Sequence, residues 1–147
     1  MNAKELKDGR AVRGTLTVRK HRADGSGEVV RIGNELVGPH VLAILCANMP
    51  GREEIDRLSV EDTSNASLIA LLAVNATDHN GTDAFCTFQW VCPPGTGTGA
   101  WDDVYILTQS AEVLSEFIGR NGDLGSKGAG DTWLVTYTLY FVPLSMS

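Results

Sequence analysis

Between Asp131 and Pro143, apolar and polar positions alternate for longer than anywhere else in the chain. Trp133, Val135, Tyr137, Leu139 and Phe141 fall on one side of an extended backbone, with Thr136, Thr138 and Tyr140 on the other. Successive side chains of a strand point to opposite faces, so the segment predicts a long strand with one core face. A face that rich in aromatic and β-branched residues needs other strands to cover it.

The remaining pattern supplies them. Val12, Leu16 and Val18 alternate with Arg13, Thr15, Thr17 and Arg19. The turn cluster Ala23-Asp24-Gly25-Ser26-Gly27 then leads to a second strand from Glu28 to Ile32, which together read as a hairpin. Gly38-Pro39 followed by Val41, Leu42, Ile44 and Leu45 predicts one short helix ending near Asn48 and Gly51, capping an open end of the fold. Residues 54–60 read as a weaker strand, and residues 67–74 fit either a buried strand or a helical turn. Asp78-His79-Asn80-Gly81-Thr82-Asp83 reads as a turn before a strand from Ala84 to Cys92, with Cys86, Phe88, Trp90 and Cys92 on one face. Residues 93–99 read as an exposed glycine loop, 101–108 and 111–118 as strands, and 119–130 as a second long loop. Seven or eight strands with no β-α-β alternation predict an all-β fold. The expected form is a mostly antiparallel β-sandwich, a jelly roll being one such arrangement, with one short helix and an extended N-terminal arm.

A chain of 147 residues suits a single domain. We divide it into a basic arm, residues 1–10, and one sandwich domain, residues 11–147. No apolar run approaches the roughly 18 residues of a membrane-spanning helix, and the first residues lack the apolar core of a secretory signal. A soluble protein made in a cytosol is expected. Cys46, Cys86 and Cys92 contain no C-x-x-C, so reduced thiols are expected rather than disulfides or a zinc knuckle. Cys86 and Cys92, six residues apart on one strand, would lie about 20 Å apart and cannot bridge each other.

Charge changes the picture at the N-terminus. Residues 1–22 hold seven of the twelve basic side chains against Glu5 and Asp8, a net of +5, so an overall charge of −6 leaves −11 on the rest. An acidic body does not bind nucleic acid through its general surface. Lys4, Lys7, Arg10 and Arg13 are instead candidates for contact with an acidic protein surface. The apolar even-numbered positions Leu134, Tyr140 and Val142 lack an obvious cover within the chain and are candidates for an oligomer interface.

Candidate chemistry is sparse. Gly95-Thr96-Gly97-Thr98-Gly99 lacks the Lys-Ser/Thr and the following helix of a phosphate cradle. Asp78, Asn80 and Asp83 begin like a calcium loop, but its glycine would fall at Asp83 and its closing glutamate at Gln89. His21, His40 and His79 have no nucleophile and acid in motif context. Asp102-Asp103 and Glu61-Asp62 are adjacent, so on a strand each pair points to opposite faces. Three Asn-x-Ser/Thr matches, at Asn65, Asn75 and Asn80, need a secretory route to matter. Trp90, Trp101 and Trp133 could line a sugar-binding face, although two of them alternate with core positions. The expectation is a protein without enzymatic activity, cofactor or metal.

Residues 55–64 (Ile-Asp-Arg-Leu-Ser-Val-Glu-Asp-Thr-Ser), 101–108 (Trp-Asp-Asp-Val-Tyr-Ile-Leu-Thr) and 127–143, with Tyr-Thr-Leu-Tyr-Phe at 137–141, resemble tailed-bacteriophage virion proteins. The chain is most similar to small capsid cement or decoration proteins, over about two thirds of its length. That resemblance implies a β-sandwich or jelly roll that is homo-oligomeric on the outer capsid surface after synthesis in the host cytoplasm. The major capsid protein would be its partner, clipped by an extended arm. Similar strand patterns in tail-fibre and baseplate components make a tail module the alternative, and a lectin-like carbohydrate-binding domain is a third reading.

Overall fold

The computed structural model describes residues 10–35, 55–80, 85–111 and 113–143, with side chains described from 14 to 33, 55 to 78, 86 to 111 and 113 to 139. The helix expected after Gly38-Pro39 and the thiol of Cys46 lie outside the described residues. The elements are β1 (Arg10–His21), β2 (Gly27–Glu35), β3 (Ile55–Glu61), β4 (Ser67–Ala73), β5 (Ala76–Asn80), β6 (Phe85–Cys92), β7 (Gly99–Ala100), β8 (Asp103–Thr108), β9 (Val113–Phe117), α1 (Asn121–Leu124), β10 (Ser126–Lys127) and β11 (Thr132–Pro143). One sheet has the order β2-β1-β11-β6-β5 and a second β4-β3-β8-β9, while β7 and β10 form a two-stranded ribbon. The ladders are antiparallel. The all-β sandwich expected from the pattern is the fold observed.

The long alternating strand β11 occupies the centre of the five-stranded sheet, between β1 and β6. Trp133, Val135, Tyr137 and Leu139 are buried on its inner face, opposite Phe88, Trp90 and Cys92 of β6 and Leu16 and Val18 of β1. The second sheet answers with Leu58, Val60, Val104, Ile106 and Phe117. Phe117 meets the Tyr137 ring edge-on at 6.5 Å between centroids, and the Trp90 indole N–H donates to the Asp56 carbonyl at 3.2 Å across the layers. Each fully buried large apolar side chain contributes about 1.5–3 kcal/mol, so this interleaved layer is what holds the two sheets together.

A glycine on β1 makes room for one of these rings. A Cβ on Gly14 would lie 2.5 Å from the Tyr137 hydroxyl oxygen and 2.7 Å from its ring. The tyrosine thus lies over bare backbone of the neighbouring strand, which no larger residue could occupy.

Several expectations are corrected. The ambiguous segment 67–74 is the edge strand β4, and it is irregular: Leu58 faces Leu72 and Val60 faces Ile69, so Ala70 and Leu71 together oppose Ser59. Leu71 takes the left-handed backbone (φ 60°) and projects outward, and the Ser59 hydroxyl donates to the Ile69 carbonyl at 3.1 Å. Such a bulge interrupts the edge as a template for further strands, which suits a strand with no charged side chain of its own. The polar run at 78–80 belongs to β5, not to a turn: Asp78 pairs with Thr87 and His79 with Cys86. Polarity misled there because an edge strand tolerates polar residues on both faces. The glycine segment 93–99 is exposed only in part: Pro93, Pro94, Gly95 and Thr98 are exposed, but its middle turns inward. Gly97 is buried, and a side chain at Gly97 would strike Ile69 while one at Gly99 would press on Leu68. The loop read over 119–130 contains the turn α1 and the strand β10.

Candidate binding surfaces

The turns after β1, β3, β6 and β9 gather at one end of the sandwich, and acidic side chains tie them. Asp131 accepts the backbone N–H of Ala23 at 3.1 Å and of Gly128 at 2.9 Å. Asp103 accepts Gly119 N–H at 2.9 Å, and Asp102 accepts Asn121 N–H at 3.2 Å. Asp62 accepts both the hydroxyl and the N–H of Ser64, together with the N–H of Ala66. Donors aimed at a carboxylate favour its charged form. The bonds from Gly128 and Ala23 accordingly hold Asp131 below the usual carboxylate range, and those from Ser64 and Ala66 do the same for Asp62.

Two lysines that the pattern did not place inside are buried at the same end. Lys20, 3% exposed, lies on the inner side of β1 with its ammonium 3.6 Å from Glu28 and 4.8 Å from the Trp133 ring centroid. Lys127, 1% exposed, donates to the Pro93 carbonyl at 3.1 Å. Burial pulls both amines below the ordinary lysine range, opposed at Lys20 by Glu28 and at Lys127 by Cys92 and Asp131. Their long stems pack like apolar side chains while the heads meet acceptors. Lys20 falls on the apolar side of the alternating strand, in phase with Leu16 and Val18, but a charged side chain gave no signal that it would be buried there. Trp101 stacks obliquely on Trp133 with centroids 4.8 Å apart, and its indole N–H donates to the Gly97 carbonyl at 2.7 Å. Trp90, Trp101 and Trp133 are all fully buried, so none offers a ring to a ligand at the surface. Asp62, Asp102, Asp103, Asp131, Lys127 and Trp101 at this end are thus bonded to loop backbone, while the Trp133 indole N–H is buried without a hydrogen-bond partner among the described residues. Among the described residues, no group of three or more His, Cys, Asp or Glu is arranged to hold a metal.

Among the described residues, the outer face of the five-stranded sheet is half-buried to exposed, whereas Asp103 and Leu107 are buried on the outer side of β8 in the four-stranded sheet. On the five-stranded sheet the register brings threonines into rows: Thr15, Thr138 and Thr87 lie side by side on β1, β11 and β6, and the next row holds Thr17, Thr136 and Gln89. Leu134 is half-buried on this face beside Val91 and Arg19. On the four-stranded sheet the Tyr105 hydroxyl donates to Glu61 at 3.1 Å, with Asp103 and Glu116 paired alongside. Partial burial, that hydrogen bond and the surrounding carboxylates push the phenol up to about 12.

Of the candidates for capsid or oligomer contact, Leu134 alone has a described side chain, and it is half-buried on the outer side of β11. Arg10 and Arg13 occupy β1 opposite Pro143 and Tyr140, and Val142 pairs with Ala11; the side chains of Arg10, Arg13, Tyr140 and Val142 lie outside the described residues, as do Lys4 and Lys7 entirely. Arg10, read from the sequence as the last residue of the arm, is the first residue of β1, so the strand begins one residue earlier than the division at residues 10 and 11. The threonine rows were not legible, because they form only when β1, β6 and β11 are brought together from distant parts of the chain.

Cys92 is fully buried, and burial pushes its thiol up to about 12, with Lys127 opposing; Cys86, half-buried on the same face, is shifted the same way. Both stand on the inner face with Phe88 and Trp90, as the alternation predicted. In a Cys46→Ser background, modification of Cys92 by a thiol reagent at mild alkaline pH should wait on unfolding, because the thiolate is the reactive form. Labelling as fast in the native as in the denatured protein would contradict this placement. The folded-state shift is upward, so its stabilising share is present below about pH 8.5 and is lost as pH rises toward about 12. No family model, curated protein or solved structure matches the chain.

Proposed function

We propose that this chain is a virion structural protein that binds and stabilises the capsid shell of a tailed phage, as a cement or decoration protein. The resemblance read from the sequence supplies the partner. The observation that supports a clamp is the pairing of Arg10 with Pro143 at the end of the central ladder. Arg10, to which the basic segment 1–9 is joined, stands at the end of the ladder opposite the tied loops. Contacts of Lys4, Lys7 and Arg10 with an acidic shell surface contribute about 0–1 kcal/mol each. Repeated over a symmetric lattice, such contacts reach high avidity without a deep pocket. Catalysis has no part in this reading, since the polar side chains at the loop-rich end serve backbone donors.

Co-sedimentation with undecorated capsids tests the proposal, comparing the full chain with one lacking residues 1–9. Full-length protein should bind and raise the shell's resistance to heat, with affinity falling as salt increases. The truncated chain should lose most of its binding while melting within about 5 °C of the parent, because a change of 1 kcal/mol moves a domain of this size by only a few degrees. Failure of the intact protein to bind capsids would sink the reading. Equal binding by the truncated chain would remove the arm as the clamp.

A further inference from the structure

We infer that two copies of this chain pair through the outer faces of their five-stranded sheets, about a twofold axis that lies between the faces and runs parallel to β11. This goes beyond the capsid reading and does not depend on it, because it concerns the isolated protein.

Charge on this face is divided from side to side. Arg19 and Arg31 are exposed on β1 and β2, and among the described residues neither is in an ion pair. Asp78, exposed on the far edge strand β5, is the one acidic group among the described side chains of the face. Between the two sides, β11 is the central strand of the five. The register puts Arg31 in the row of Thr17, Thr136 and Gln89, and Asp78 in the next row, with Thr138 and Thr87. Such a face is complementary to itself in one arrangement. Turning a second copy about an axis parallel to β11 sets β11 on β11, β1 on β6 and β2 on β5, so Arg31 of each copy comes to Asp78 of the other. Turning it about an axis across the strands sets β2 on β2 and β5 on β5, and the arginine-bearing sides then meet. The first arrangement makes the opposite-charge pair twice, and opposite potentials both steer encounter and suppress the wrong pairing.

The middle of the contact carries no charge. Leu134, Thr136 and Thr138 lie along the axis on β11, so each meets its own counterpart, and all three are only half-buried in the single chain. Every threonine presents a methyl and a hydroxyl, which lets the rows pack and hydrogen-bond without burying an unpaired ion. Off the axis, Arg19 comes over the half-buried Val91 of the other copy, where its aliphatic stem covers apolar surface while its head stays in water. Four inter-strand spacings by about seven residues give a projected face on the order of 19 by 23 Å, below the roughly 800 Å² per partner of a standard interface. The pair is therefore weak and salt-sensitive. Because the same patch is used on both copies, assembly closes at two.

Charge reversal tests this by sedimentation equilibrium at about 10 mM salt, where the screening length is about 30 Å. The wild-type chain should show a monomer–dimer equilibrium at protein concentrations on the order of 100 μM, as expected for an interface below the standard size. Arg31→Glu alone and Asp78→Arg alone should each weaken dimerisation about tenfold or more, since each sets like charges together twice. Carried on one chain, the two changes restore both pairs and should recover most of that loss. An equimolar mixture of the single variants holds the same two restored pairs in a heterodimer, and it serves if the double variant does not fold. Thr136→Lys, on the axis, should dissociate the pair by setting two ammonium groups together. A wild-type chain that stays monomeric, a single reversal or Thr136→Lys variant that dimerises like wild type, or restored charges that bring no recovery would each overturn the inference. So would assembly that continues past two copies.

Discussion

Replacing Trp101 with alanine should lower the unfolding free energy by about 3–5 kcal/mol, the range for deleting a buried aromatic side chain. Trp101 is fully buried just before β8, it stacks on Trp133, and its indole anchors the Gly97 carbonyl. Removing it opens a cavity beside the ribbon of β7 and β10 and leaves the Gly97 carbonyl without its donor, at a position where any Cβ would strike Ile69. A loss of this size is a large part of the roughly 5–15 kcal/mol that holds a domain together. Trp101→Phe keeps a ring but not the N–H, so it should cost less and remain measurable if the alanine variant does not fold. Urea denaturation checks both. A loss under about 1 kcal/mol for the alanine variant, well below the cavity range, would show that the loop-rich end is not held through this side chain.

Gly14→Ala carries the second large effect, with a sign opposite to the usual one. Glycine inside a strand is ordinarily a weakness, and alanine there would gain about 0.5–1 kcal/mol. Here the added methyl meets the Tyr137 hydroxyl and ring, and Tyr137 is boxed by Phe88 and Phe117. Overpacking of that kind costs about 1–3 kcal/mol. The attribution is tested by coupling. In a Tyr137→Leu background, weakened on its own account, the alanine should cost far less, giving an interaction energy of at least about 1 kcal/mol in a double-mutant cycle. Additive losses would mean that the two residues do not compete for the same space.

Periodicity reached the fold wherever a strand had one wet face and one dry face. Residues 132–139 and 86–92 alternate without interruption, and their inner faces are the ones expected. It failed where a side chain's chemistry and its position disagree. Lys20 and Lys127 are buried cations, Asp78 and His79 lie in a strand, and Leu71 is an exposed leucine on a bulge. Each of those outcomes is decided by partners distant in sequence: Glu28 and Trp133 for Lys20, Pro93 for Lys127, and Ser59 for the bulge at Leu71. The same holds for the binding surfaces. Leu134 could be assigned to an open face from its own strand. The threonine rows depend on strand order, which no single segment encodes.

The ladder between β1 and β11 also decides how the molecule bears mechanical load. Its twelve registered pairs run from Arg10 and Pro143 at one end to His21 and Thr132 at the other. A pull between Arg10 and Pro143 would open these pairs one after another, as a zip opens. A pull between Arg10 and a contact at the loop-rich end instead runs along β1 and loads the whole ladder at once in shear. A molecule tethered by its arm and gripped at its far end would resist an expanding support in the stiffer of these two directions.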